Sequence, residues 1–199
     1  KNKLMCKFFK ANSGYIFNPK KGRINLSCNF SNNKNNYIQA QQKTFKLINK
    51  YRKFDLNLFN LVFLQIESPL RPNDFFIKKV CLGAKYKKKI VVGNISTSRD
   101  YSWVTEVVKS IILTSKLKSN NYIISAGRKI SGRKILDFAY KLNNLDYKKY
   151  FKVDNKFLRK NEKIVLVGSS NNTRYLKNNF NFKFKIFGKI LIEKMYKNL

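Results

Sequence analysis

The 199-residue chain has no histidine, and only 10 of its residues are Asp or Glu. The first absence removes the commonest metal ligand and the one side chain that ordinarily titrates near neutral pH. Cysteine is scarce too: Cys6, Cys28 and Cys81 are odd in number and far apart. Without histidine, a CxxC pair or a cluster of acids, no zinc site is expected, and the thiols read as buried or idle groups in a reducing compartment. No apolar stretch approaches the ~20 residues of a membrane helix. Leu58-Phe59-Asn60-Leu61-Val62-Phe63-Leu64 is among the longest, so no membrane partner is expected. The first residues are basic but hold neither an apolar secretory core nor a small-residue cleavage site.

Against the 10 acids stand 43 Lys and Arg, which gives a net charge of +33. Such a chain repels itself on folding unless a polyanion supplies counter-charge, and each neutralised phosphate releases counterions. An AT-rich genome would inflate Lys, Asn, Ile, Phe and Tyr, all abundant here, but it would inflate Asp and Glu codons as well. Codon bias alone therefore does not explain the acid deficit.

Hydrophobic residues make up 43% of the chain and aromatics 15%, enough to bury a core of ordinary domain size. Residues 1–36 are basic and Asn-rich and read as an extension with a short strand at Tyr15-Ile16-Phe17. Residues 37–199 read as the main domain. Within it, Tyr37, Ala40, Thr44, Leu47, Ile48 and Tyr51 recur at helical spacing, and Leu58–Ile66 reads as a strand covered on both faces, with Phe63 in the core. A helix over Asp74–Ala84 is expected to be capped at Asn73 or Asp74. A strand follows at Lys89–Gly93, then a helix whose inner face is Trp103, Val104, Val107, Val108, Ile111 and Ile112. Another strand spans Tyr122–Ser125. A helix capped by Ser131 buries Ile135, Phe138, Ala139 and Leu142. Lys163–Val167 is extended and Phe187–Tyr196 closes the chain as a helix. This alternation predicts an α/β fold.

Several segments in a fixed order carry a resemblance. They are Leu64-Gln65-Ile66-Glu67-Ser68-Pro69-Leu70-Arg71, then Val92-Gly93-Asn94-Ile95, then Ser98-Arg99-Asp100-Tyr101. Asn121-Tyr122-Ile123-Ile124-Ser125-Ala126-Gly127 and Leu158-Arg159-Lys160-Asn161-Glu162 follow. From about Tyr37 onward this order is similar to the C-terminal half of the GDP-mannose 4,6-dehydratase family, within the extended short-chain dehydrogenases/reductases. The resemblance implies a degenerate NDP-sugar dehydratase/reductase-like α/β domain lacking most of the dinucleotide-binding half. It matches Tyr37 to the family's catalytic tyrosine, Ser13 to its hydroxyl residue, and Arg159 and Glu162 to positions that contact the nucleotide sugar.

The departures set the functional expectation. Nothing like GxGxxG precedes Tyr37, so no cofactor is expected. Gly127-Arg128-Lys129-Ile130-Ser131-Gly132-Arg133-Lys134 lacks the GK[ST] ending of a phosphate loop. Gln41 stands where the family has the lysine that lowers the tyrosine pKa, Gly14 where it has a catalytic glutamate, and Ile66 where it has histidine. Without a nearby cation a phenol is a poor base at neutral pH. Tyr37 then reads as an ordinary helix aromatic, and Arg159 and Glu162 as a leftover ion pair, or Arg159 as a phosphate contact.

The basic residues cluster at Lys20, Lys21 and Arg23; at Lys87, Lys88 and Lys89; at Arg128 and Lys129; at Arg133 and Lys134; at Lys148 and Lys149; and at Lys183 and Lys185. Loops presenting Lys and Arg beside Tyr and Phe suit shape-based RNA binding, although no RRM, KH or zinc-knuckle signature is present. The chain is therefore expected to be a catalytically inactive structural component of a mitochondrial ribosome, in the matrix and possibly organelle-encoded. Its partners would be ribosomal RNA and neighbouring ribosomal proteins, with no small-molecule substrate. Two alternatives remain: a divergent or split NDP-sugar 4,6-dehydratase, and an accessory subunit of another organellar complex.

Overall fold

The computed structural model describes residues 6–54, 56–158 and 162–199. Its backbone is a set of small sheets whose strand pairings are mostly parallel. The first sheet runs β1 (Phe8–Ser13), β3 (Leu58–Phe63), β8 (Asn121–Ile124), all parallel, with β3 in the centre. A short β2 (Arg23–Ile24) comes between them in sequence, and α1 (Asn36–Arg52) packs over β1 and β3.

The strand expected over Leu58–Ile66 breaks at Leu64. Its second part, β4 (Gln65–Glu67), leaves the first sheet and pairs in parallel with β7 (Tyr101–Trp103). Between them lie α2 (Phe76–Lys85), β5 (Ile90–Val92) and β6 (Ser98–Arg99). After β7 come α3 (Val104–Thr114), β8, β9 (Ile130–Ser131), α4 (Gly132–Lys141), β10 (Phe151–Val153), β11 (Val165–Gly168), α5 (Arg174–Phe180) and α6 (Lys189–Lys197). A third sheet has the order β2-β11-β6-β9, and β5 pairs with β10.

The break at Leu64 decides which aromatic carries the core. Phe63, expected to be central, is half-buried, whereas Phe59 is fully buried and stacks on Phe9 with ring centroids 4.5 Å apart. Phe59→Ala should cost about 3–5 kcal/mol in urea unfolding. A loss below 1 kcal/mol would contradict that packing.

Centre strand β3 also carries a polar residue into the interior. Asn60 is fully buried, receives a hydrogen bond from Asn12 Nδ2 of β1 (3.0 Å) and donates to Asn121 Oδ1 of β8 (3.0 Å). Arg52 of α1 closes the group from above, donating to Asn49 Oδ1 and Asn121 Oδ1. Most of these buried amide groups satisfy one another, while Asn12 Oδ1 meets no partner.

Around α2, α4 and α6 a second core forms, including Ile77, Val80, Ile135, Leu136, Ala139, Leu191 and Met195. Ser131 caps α4 as expected, accepting from Lys134 N. Three expectations are corrected. The strand around Tyr15–Phe17 is a 3-10 turn over Gly14–Ile16 that follows β1. Helix α2 begins at Phe76 with no side-chain cap, because Asn73 and Asp74 lie in the preceding turn. In α3 the buried positions include Val107, Ser110 and Thr114, while Val108 and Ile112 face outward.

Candidate functional site

One buried carboxylate joins three sheets. Asp100 follows β6 and precedes β7, and it is fully buried. Its Oδ1 accepts from Ala126 N (3.1 Å), and its Oδ2 from Gly127 N (2.9 Å) and Gly168 N (3.1 Å). The ends of β8 and β11 are thereby tied to the strand that leads into β7. Burial pushes the Asp100 carboxyl up to about 7, against the downward pull of these backbone N–H groups. Ser125 Oγ is buried beside this cluster and meets no partner at hydrogen-bonding geometry, so it adds little to that pull.

On this frame sits a cleft of about 530 Å³, lined by β4, β5, β6, the loop before α2 and the start of α2. Two arginines dominate it. Arg71 Nη1 donates to Glu67 Oε1 and to the Ile66 carbonyl, both at 2.7 Å, and its guanidinium lies 3.6 Å from the Phe75 ring centroid. Lys78 Nζ holds this loop from behind through the Pro69 and Arg71 carbonyls. Arg99 is buried, pairs with Glu162 at 2.8 Å and donates to the Ser98 and Ile164 carbonyls.

A third cation, Lys79, stands 4.9 Å from the Phe157 ring. Phe157 comes close because Gly93 has no side chain: a Cβ there would lie 2.6 Å from the Phe157 carbonyl oxygen. Tyr15 and Tyr101 complete the wall. Burial pushes Glu67 up to about 7, outweighing the adjacent Arg71 guanidinium, and Glu67 Oε2 has no hydrogen-bond partner. The cleft thus gathers three cations and three carboxyls beside two aromatic faces. Arg71 and Arg99 are paired with Glu67 and Glu162, Lys79 has no ion pair among the described residues, and Glu67 can hold a proton near neutrality. This polar lining suits a hydroxylated ligand.

The family model described as GDP-mannose 4,6 dehydratase matches residues 20–195. The chain belongs to that family. It is 23% identical over 133 residues to GDP-mannose 4,6 dehydratase 1 of Arabidopsis thaliana, covering 64% of this chain and 37% of the relative. Against the Dictyostelium discoideum GDP-mannose 4,6 dehydratase it is 22% identical over 164 residues, covering 70% and 46%. The chain therefore spans less than half the length of these curated relatives.

Solved structures share the fold. The dTDP-glucose 4,6-dehydratase of Bacillus anthracis in complex with NAD superposes with a TM-score of 0.77 at 16% identity, covering 96% of this chain and 61% of that one. RMD from Pseudomonas aeruginosa, complexed with NADPH, gives 0.79 at 15% identity, covering 96% and 66%.

These matches overturn the expected ribosomal role and the expectation of an inactive scaffold. The curated relatives are GDP-mannose 4,6 dehydratases, the fold neighbours include a dTDP-glucose 4,6-dehydratase and a UDP-glucose 4-epimerase, and none of those named is a ribosomal or RNA-binding protein. Motif order, not net charge, points to the family.

The basic residues singled out from sequence sit elsewhere. Lys20, Lys21, Arg23, Lys87, Lys88, Lys89, Arg128, Lys129, Arg133, Lys134, Lys148, Lys149, Lys183 and Lys185 are all exposed, and none lines the cleft. Nor does any form an ion pair among the described residues.

Of the residues matched through the resemblance, Glu162 lies in the cleft and its partner is Arg99; Arg159 lies outside the described residues. Tyr37 is exposed at the start of α1, away from the cleft lining. Gln41 carries no charge, but Lys10 Nζ of β1 approaches its Oε1 at 3.5 Å, so a cation does stand on this side of the helix. Ser13 Oγ accepts from Tyr15 N. Gly14 is tightly enclosed: a Cβ would lie 2.6 Å from Leu64 Cδ2, which leaves no room for a glutamate without movement. Sequence reasoning missed Lys79, Phe75 and Phe157 as cleft residues. The Val92-Gly93-Asn94 motif was the available signal, since a glycine beside a strand end marks a close backbone approach.

Proposed function

We propose that this chain is the sugar-nucleotide-binding portion of a divergent NDP-sugar dehydratase or epimerase, with the cleft as its ligand site. The observation that carries the reading is the convergence of Arg71, Arg99 and Lys79 on one cavity in a chain that belongs to the GDP-mannose 4,6 dehydratase family. Arginine and lysine neutralise a diphosphate, the Phe75 and Phe157 faces suit a base or sugar ring, and Glu67 offers a hydrogen bond to a hydroxyl.

Fold neighbours hold NAD or NADPH. Among the described residues no strand runs through a glycine-rich turn directly into a helix, the arrangement that cradles a dinucleotide pyrophosphate. These residues therefore do not hold the dinucleotide by themselves. Among the described residues strand β1 is one of the two edges of the β1-β3-β8 sheet, with β3 on one side only. Further strands, from the same polypeptide or another, can add there and bring the cofactor.

Isothermal titration with GDP-mannose, dTDP-glucose and UDP-glucose tests the reading. At least one is expected to bind with a Kd in the micromolar range, and Arg71→Ala should weaken that binding about tenfold or more. Absence of binding by all three at millimolar concentration would overturn it.

A further inference from the structure

Glu67 lines the cleft from β4 and is almost wholly removed from water. Its Oε1 accepts from Arg71 Nη1, and its Oε2 meets no partner. The parallel register sets Trp103 of β7 beside it, on the same face of the two strands. Trp103 Nε1 is buried and unpartnered as well, so Arg71 alone among the described residues donates to this carboxyl. Other groups stand around it without bonding to it. Burial first, and the Glu67 charge second, raise the Cys81 thiol of α2 and the Tyr101 phenol of β7. Lys194 of α6 lies 5.6 Å from the Trp103 ring, and Glu106 of α3 is bound to the Lys185 and Ile186 amides.

Arg71 spends Nη1 on Glu67 and on the Ile66 carbonyl, which leaves Nε and Nη2 without partners among the described residues. The charge of the cleft then turns on Glu67. Ionised, it completes a lining in which Glu67, Asp74 and Glu162 balance Arg71, Lys79 and Arg99. Protonated, it leaves one positive charge uncancelled. Burial pushes Glu67 up to about 7 against the pull of Arg71, so both forms are present at neutral pH. Glu162, which pairs with Arg99, is the more open of the two paired carboxylates, its side chain 19% exposed against 2%.

We propose that Glu67 is a positioning residue that switches the cleft with pH: protonated, it leaves the Arg71 charge to an anionic ligand, and ionised, it cancels that charge. The inference rests on the cleft being a sugar-nucleotide site. Ligand and proton then bind together, and affinity falls as pH rises through neutrality.

Titration calorimetry with GDP-mannose, dTDP-glucose and UDP-glucose at pH 6 and pH 8 tests the switch. Each carries a diphosphate substituted at both ends, whose charge stays constant over that range. Binding is expected to be about tenfold weaker at pH 8, the factor that follows when one group near 7 must be protonated. Glu67→Gln is neutral at every pH and should bind at pH 8 as tightly as the unaltered chain does at pH 6. A residue that merely held Arg71 in place would lose affinity on this change. Asp100→Asn should keep the pH dependence. Trp103, the single tryptophan, gives a reading without ligand. Its emission is expected to titrate with a midpoint near 7 in the unaltered chain and in Asp100→Asn, and to stay flat in Glu67→Gln. Equal affinity at the two pH values, a Glu67→Gln variant that binds more weakly at both, or flat emission in the unaltered chain would each overturn the switch and leave the ligand site standing. Titrating emission with no binding of any of the three at either pH would overturn the sugar-nucleotide reading, and the switch with it.

Discussion

Replacing Asp100 by alanine is expected to cost about 4 kcal/mol or more in urea unfolding. The variant would strip Gly127 N and Gly168 N of their acceptor at a fully buried position and leave Ala126 N with Ser102 Oγ alone. Each buried donor left without a partner costs about 1–3 kcal/mol, and a domain has only about 5–15 kcal/mol in all. The ends of β8 and β11 would also lose their common anchor, so the cleft should loosen and ligand affinity should fall with stability. Asp100→Asn keeps one carbonyl oxygen and resembles the protonated acid, so it is expected to cost roughly half as much. A loss under 1 kcal/mol for the alanine variant would show that Gly127 N and Gly168 N find other acceptors.

Stability should fall as pH rises from 5 to 8, the reverse of the usual acid-denaturation profile. Burial raises Asp100 to about 7 and Glu67 to about 7. The native chain keeps these protons up to near neutrality, whereas the unfolded chain releases them near pH 4. Between those limits the native state binds more protons, so unfolding free energy declines with rising pH and levels off above about 7. The loss is on the order of 3 kcal/mol for each group. With no histidine in the sequence, little else titrates in this window, and burial pushes Cys81 up to about 12, well clear of it. Urea midpoints at pH 5, 6, 7 and 8 measure the slope. Asp100→Asn combined with Glu67→Gln should flatten it, and a flat or rising profile in the unaltered chain would mean that both carboxyls are ionised throughout.

Several elements are legible in the sequence itself. The Ser131 cap, the strand at Lys89–Gly93 and the order of motifs were plain in the sequence, because each rests on neighbours a few residues apart. The phase of α1 was not. Its aromatics are numerous enough to mark two faces, and the face that turned inward carries Gln42, Asn49 and Arg52, chosen by partners on other strands rather than by hydropathy. In α3 the buried Ser110 and Thr114 satisfy their hydroxyls on the Val107 and Ser110 carbonyls, so polar residues could occupy the inner face in place of Val108 and Ile112. The cleft was the least legible feature. Arg99 and Glu162 are 63 positions apart, and no local pattern distinguishes a paired arginine from the many unpaired ones in so basic a chain.

The asparagine at the centre of the sheet bears on how the molecule comes to be built. Asn60 meets Asn12 from 48 positions earlier and Asn121 from 61 positions later. None of these amides can be satisfied by a hairpin, because every strand pairing in that sheet is parallel and must await a crossover. As the polypeptide leaves the ribosome, Phe8–Ser13 and Leu58–Phe63 can associate early, but the pair stays incomplete until Asn121 has emerged. Formation of this sheet is therefore a late, slow event governed by loop closure. For much of synthesis the nascent chain shows an unfinished sheet edge to whatever protein or chaperone lies nearby.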